Sequence, residues 1–64
     1  MINNILMTLN YEYEGIDKVK KFSFKRADSA IYKAIVWINK DGITAKSVTI
    51  INKETKEVLW TWEK

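Results

Sequence analysis

Residues 5–14, Ile-Leu-Met-Thr-Leu-Asn-Tyr-Glu-Tyr-Glu, place Ile5, Met7, Leu9, Tyr11 and Tyr13 at every second position, with mostly polar residues between them. A period of two sends alternate side chains to opposite faces, so the segment predicts a half-buried strand. Gly15, Ile16 and Asp17 interrupt the pattern. It resumes over residues 18–26, with Phe22 and Phe24 on one side and Val19, Lys21, Ser23 and Lys25 on the other. The two runs predict a hairpin. A four-residue loop over 14–17 sets Leu9 opposite Phe22 and Met7 opposite Phe24, which gathers the large side chains on one face.

From Ala27 the period lengthens. Ala27, Ala30, Ile31, Ala34, Ile35 and Ile38 recur at the spacing of an amphipathic helix. Asp28 or Ser29 is suited to cap its N-terminus, and Gly42 to end it in the left-handed conformation. Residues 46–52 and 57–62 then predict a second hairpin around Lys53-Glu54-Thr55-Lys56, with Val58, Trp60 and Trp62 on one face of the last strand. Its register stays open. An even loop places Thr49 and Ile51 beside the tryptophans and an odd loop places Val48 and Ile50 there, because a one-residue slip flips every side chain.

With no repeat, linker, low-complexity tract or proline, residues 1–64 read as a single ββαββ domain of the α+β class. Lys18, Lys20, Lys21 and Lys25 crowd the second strand, and lysine is a usual guard against edge-to-edge pairing, so that strand is expected outermost. The first and last strands are the most apolar and are expected side by side and parallel at the centre. The prediction is a four-stranded mixed sheet, order 2-1-4-3, with one helix across one face. That arrangement resembles the layout of the immunoglobulin-binding domains of streptococcal protein G, with residues 52–57 (Asn-Lys-Glu-Thr-Lys-Glu) falling where that family has its second-hairpin turn. No binding residue of that family maps onto this helix position by position, so the resemblance implies a layout and no antibody binding.

Composition narrows the function classes. A chain 47% hydrophobic and 30% charged is balanced for folding, yet 64 residues leave little apolar surface to spare. Cysteine is absent, so packing alone must hold the core, which suits a reducing, cytoplasmic setting. The start, Met1-Ile2-Asn3-Asn4, has no basic segment leading into an apolar one. The longest fully apolar run, residues 34–38, is far too short to span a membrane, so neither an export signal nor an anchor is expected. A net charge of +3, from ten lysines and one arginine against eight acids, leans toward acidic partners. The heavy use of lysine, isoleucine and asparagine is a bias common in genomes poor in G and C, including many bacteria and their phages.

The lack of histidine and cysteine removes the commonest general base, the thiol nucleophile and the usual transition-metal ligands. No enzyme activity, cofactor or metal is expected. Glu12, Glu14 and Asp17 gather three carboxylates at one hairpin end, too few oxygens for a calcium site. Residues 20–26 (Lys-Lys-Phe-Ser-Phe-Lys-Arg) interleave cations and aromatics as RNA-stacking sheets do. Here, however, Phe22 and Phe24 are wanted for the core, as are Trp37, Trp60 and Trp62.

The remaining oddity is the sheet face without a helix. Leu6, Val19 and Leu59 are expected there, joined by Val48 and Ile50 or else by Ile51, and on the helix Tyr32 and Val36 flank the buried stripe. Leftover apolar surface of this kind marks interaction sites. The leading expectation is a non-catalytic protein-binding module, a stand-alone inhibitor or adaptor of the kind phages and mobile elements carry. It would bind a protein partner, or itself as a homodimer, through Leu6, Val19, Val48, Ile50 and Leu59 or through Tyr32 and Val36. The alternatives are a nucleic-acid-binding module using Lys18, Lys20, Lys21, Lys25 and Arg26, and a structural or assembly subunit.

Overall fold

Residues 4–64 are described by a computed structural model; residues 1–3, which begin the N-terminal stretch read above for an export signal, lie outside them. The element order is β1 (Ile5–Tyr13), β2 (Ile16–Phe24), α1 (Ala27–Ile38), β3 (Thr44–Asn52) and β4 (Val58–Glu63). All five elements fall where the periodicity predicts them.

The first turn is tighter than expected. Tyr13 pairs with Ile16, so the loop is Glu14-Gly15 alone, at φ 52° and 79°. Two consecutive left-handed residues are the two-residue turn whose twist matches a hairpin. Met7 therefore faces Phe22, Ile5 faces Phe24 and Leu9 faces Lys20. Because the register moved by two, the faces are those expected and only the partners change.

The strand order is β2-β1-β3-β4, and every neighbouring pair is antiparallel. This replaces the expected 2-1-4-3 order and its parallel centre, so the resemblance to protein G domains stops at the element order. β2, α1 and β3 form a split β-α-β unit, with β2 and β3 running the same way on either side of β1. Apolar content alone misjudges β3. Lys46, Ser47, Thr49 and Asn52 make it look polar, but Ala45, Val48 and Ile50 all point to the buried face. On its other face, Thr49 and Ser47 match Thr8 and Asn10 of β1, and the Asn10 amide donates to Ser47 Oγ at 3.0 Å. β4 takes the edge, where large indoles tolerate partial exposure.

The core lies between the sheet and α1: Ile5, Met7, Leu9, Tyr11, Ala45, Val48 and Ile50 below, Ala30 and Ala34 above. The two alanines let the helix sit close to the sheet. On the β2 side Trp37 fills the gap, its ring 5.8 Å from Tyr11 and 5.9 Å from Phe22. The buried stripe is thus rotated from the expected one: Trp37 points inward, and Ile35 faces solvent. Arg26, in extended conformation, is the N-cap and its side chain makes no capping bond; of the two expected caps, Asp28 accepts the Ser29 N–H at 2.9 Å from within the first turn. Asp28 is also paired with Arg26 at 3.1 Å, where a carboxylate suits the helix dipole. Gly42 (φ 90°) lies beyond Asn39, the residue that ends the helix, and turns the chain toward β3.

Candidate functional site

The helix-free face is read off the strand pairs, since residues directly opposite share a face. One row is Ser23, Leu6, Ile51 and Val58; the next is Lys21, Thr8, Thr49 and Thr61; the third is Val19, Asn10, Ser47 and Glu63. Of the expected apolar patch, Leu6 and Val19 are on this face, but the row of Lys21 and three threonines lies between them. Val48 and Ile50 are not: both are fully buried under the helix, opposite Trp62 and Trp60. Ile51 takes the open face, the other register the alternation allowed.

Leu59 also leaves the patch. Ile50 pairs with Trp60 and Ile51 with Val58, so Leu59 is the extra residue of a bulge, half-buried against the core. The bulge shifts the phase of β4. Val58 moves to the open face, away from Trp60 and Trp62. What remains there is a short apolar row, Leu6, Ile51 and Val58, at one end of a field of threonines and amides.

At the other end, β3 bulges between Ala45 and Ser47, and the Lys46 ammonium donates a hydrogen bond to Asp17. That bond holds the Lys46 pKa above the ordinary lysine range, opposed by some desolvation and reinforced by the charges of Asp17 and Glu12. Among the described residues no group of three or more acids is placed to hold a metal ion. Nor is any helix among them long and apolar enough to cross a membrane.

The helix presents a more continuous surface. Tyr32, Ile35 and Val36 are 71%, 47% and 44% exposed, at positions i, i+3 and i+4 of one solvent-facing flank. Trp37 points to β2; within the strip Ile35 neighbours Ile38 on the side away from Trp37, and Tyr32 and Val36 lie on the outer face of the helix. α1 packs across β1, β2 and β3 and leaves β4 largely uncovered. A groove of about 330 Å³ therefore opens beside the C-terminal end of the helix, lined by Ile38, Ile43, Thr44, Ala45, Trp62 and Lys64. Of the strip, sequence reasoning had named Tyr32 and Val36. It assigned Ile35 to the core and missed the groove, because neither the rotation of the helix nor the edge position of β4 is visible in the alternation.

The basic edge is real but divided. Lys18 and Lys20 share the helix side with Tyr11 and Leu9, while Lys21 shares the open face with Thr8. Among the described residues the ion pairs are Arg26–Asp28 and Lys46–Asp17, so Lys18, Lys20, Lys21 and Lys25 have no carboxylate in reach. Lys20 and Lys40 bring their ammonium groups to 5.6 and 5.3 Å from the Trp37 ring, within cation–π range. Phe22 and Phe24 pack against the core, 6.4 Å apart. Comparison with protein-family models, with curated proteins and with solved structures gives no match.

Proposed function

We propose that the chain is a non-catalytic, cytoplasmic protein-binding module that engages its partner through the exposed flank of α1 and the adjoining β4 groove. The observation that carries this reading is the strip Tyr32–Ile35–Val36. A 64-residue domain with little apolar surface to spare leaves three large apolar side chains in water, side by side, next to a groove floored by Trp62. Clustered aromatic and aliphatic groups of this kind anchor interfaces. Lys64 lines the groove, which fits an apolar knob with acidic surroundings on the partner. A stand-alone inhibitor or adaptor is a role such a module fills.

The test compares proteins retained from host extract by the immobilised wild type with those retained by Tyr32→Lys/Val36→Lys and by Leu6→Lys/Val58→Lys. The reading expects a partner lost with the helix pair and kept with the sheet pair. Loss with the sheet pair alone would move the site to the open face and end this proposal.

The four lysines of the β2 edge support a second reading, a nucleic-acid interface that follows phosphates. It expects oligonucleotide binding whose affinity falls steeply as salt rises. Lys18→Gln/Lys20→Gln/Lys21→Gln/Lys25→Gln should reduce both the affinity and its salt slope. An absence of binding at low salt would dispose of it.

A further inference from the structure

The two edges of the sheet are built differently. β2 carries Lys18, Lys20 and Lys21, with Lys25 just beyond it, whereas β4 has no lysine, arginine or proline between Val58 and Glu63. Adding a copy of β2 to β2 would set ammonium against ammonium, which is how natural sheets refuse edge pairing. β4 lacks that guard. Its bulge at Leu59 disturbs only its start, and from Trp60 onward its pairing with β3 is regular.

The backbone direction along β4 can be read from its hydrogen bonds. The Lys64 N–H donates to Lys46 O at 3.0 Å, so Lys64 turns its backbone polar groups toward β3, and by alternation so do Trp62 and Trp60. Thr61 and Glu63 turn theirs outward, where no described strand receives them. The same edge flanks the half-buried indoles of Trp60 and Trp62, which the helix does not cover.

We propose that β4 pairs antiparallel with β4 of a second copy of this chain about a two-fold axis at Thr61, forming one eight-stranded sheet with both helices on the same side. Thr61 suits the axis, because a residue meeting its own copy through two N–H···O bonds must point outward. Glu63, the other outward residue, would bring two carboxylates face to face, an arrangement that is destabilising. With the axis at Thr61, Trp60 lies beside Trp62 of the second copy on the helix side. Where the second strand skips Leu59, as β3 does, Glu57 lies opposite Lys64 of the second copy. Each chain thus contributes one acid and one base to two equivalent charge pairs at the ends of the paired segment.

Sedimentation equilibrium of the full chain, from low-micromolar to millimolar concentration, should show reversible monomer–dimer exchange. Thr61→Pro removes an N–H that the β3 ladder does not use, so it should keep the near-ultraviolet tryptophan signal of the folded chain and lose the dimer. Glu57→Lys should weaken dimerisation roughly three- to tenfold, and Glu57→Lys/Lys64→Glu should restore it. Tyr32→Lys/Val36→Lys, which tests the proposed partner surface, should leave the dimer unchanged. The proposal is overturned by a chain that stays monomeric at millimolar concentration, or by a dimer indifferent to both Thr61→Pro and Glu57→Lys. If Thr61→Pro unfolds the chain, Glu57→Lys and its charge-swapped rescue decide alone, and a failed rescue overturns the pairing.

Discussion

Glu14 sits at φ 52° in the first turn, a conformation that costs an ordinary L-residue about 1–2 kcal/mol and asparagine less. Glu14→Asn should therefore stabilise the fold by about 0.5–1 kcal/mol in urea denaturation, while Gly15→Ala, at φ 79°, should destabilise it by at least as much. Arg26 makes no side-chain bond at the N-cap position, and Arg26→Asp should add about 1 kcal/mol, less the small worth of the exposed pair with Asp28. Neither site was legible in the sequence. Glu14 is not a residue that advertises a left-handed turn, and Asp28, read as a cap, accepts the Ser29 N–H from inside the first turn while Arg26 holds the N-cap position itself. Lys46 gives a pH signature at the same scale. Its folded pKa is raised, so what the Asp17 bond contributes is full below the ordinary lysine pKa and fades as pH climbs through the folded value. In an NMR titration of the lysine side chains, Asp17→Asn should return Lys46 to the ordinary range.

At the scale of elements, alternation located the helix and all four strands to within a residue or two, because β1, β3 and the helix each bury one face, Phe22, Phe24, Trp60 and Trp62 mark the inner side of the edge strands, and the two periods differ. The rotation of the helix was less accessible. Ala30 and Ala34 are compatible with a stripe leaning toward Ile35 or toward Trp37, and the cavity between Tyr11 and Phe22 selects the larger ring. That choice exposes Ile35 and completes the strip with Tyr32 and Val36. Their replacement by lysine should accordingly change stability by no more than about 0.5 kcal/mol, as measured by chemical denaturation. The second hairpin defied a parity argument because it contains a bulge: Trp60 and Trp62 follow one phase and Val58 the other. Ile50 and Ile51 report the result directly. Ile50→Val, beneath the helix, should cost about 1 kcal/mol, and Ile51→Val on the open face less than half of that.

For the whole molecule, the neighbour of β1 decides which surfaces are free. Ranking strands by apolar content put β4 at the centre, but a central strand must match its neighbours on both faces, and β3 does so with Val48 and Ile50 below the helix and Ser47 and Thr49 beside Asn10 and Thr8. Placing β4 outside uncovers Trp62, opens the groove beside α1 and leaves the outward amides of Thr61 and Glu63 unpaired with any described strand. Both the partner surface and the self-pairing edge depend on that placement. Cross-strand nuclear Overhauser contacts in a uniformly labelled sample test it most directly. The structure predicts antiparallel contacts linking Leu9 to Val48 and Met7 to Ile50, with none between β1 and β4. A ladder of parallel contacts joining β1 to β4, with Val48 and Ile50 no longer adjacent to β1, would contradict it.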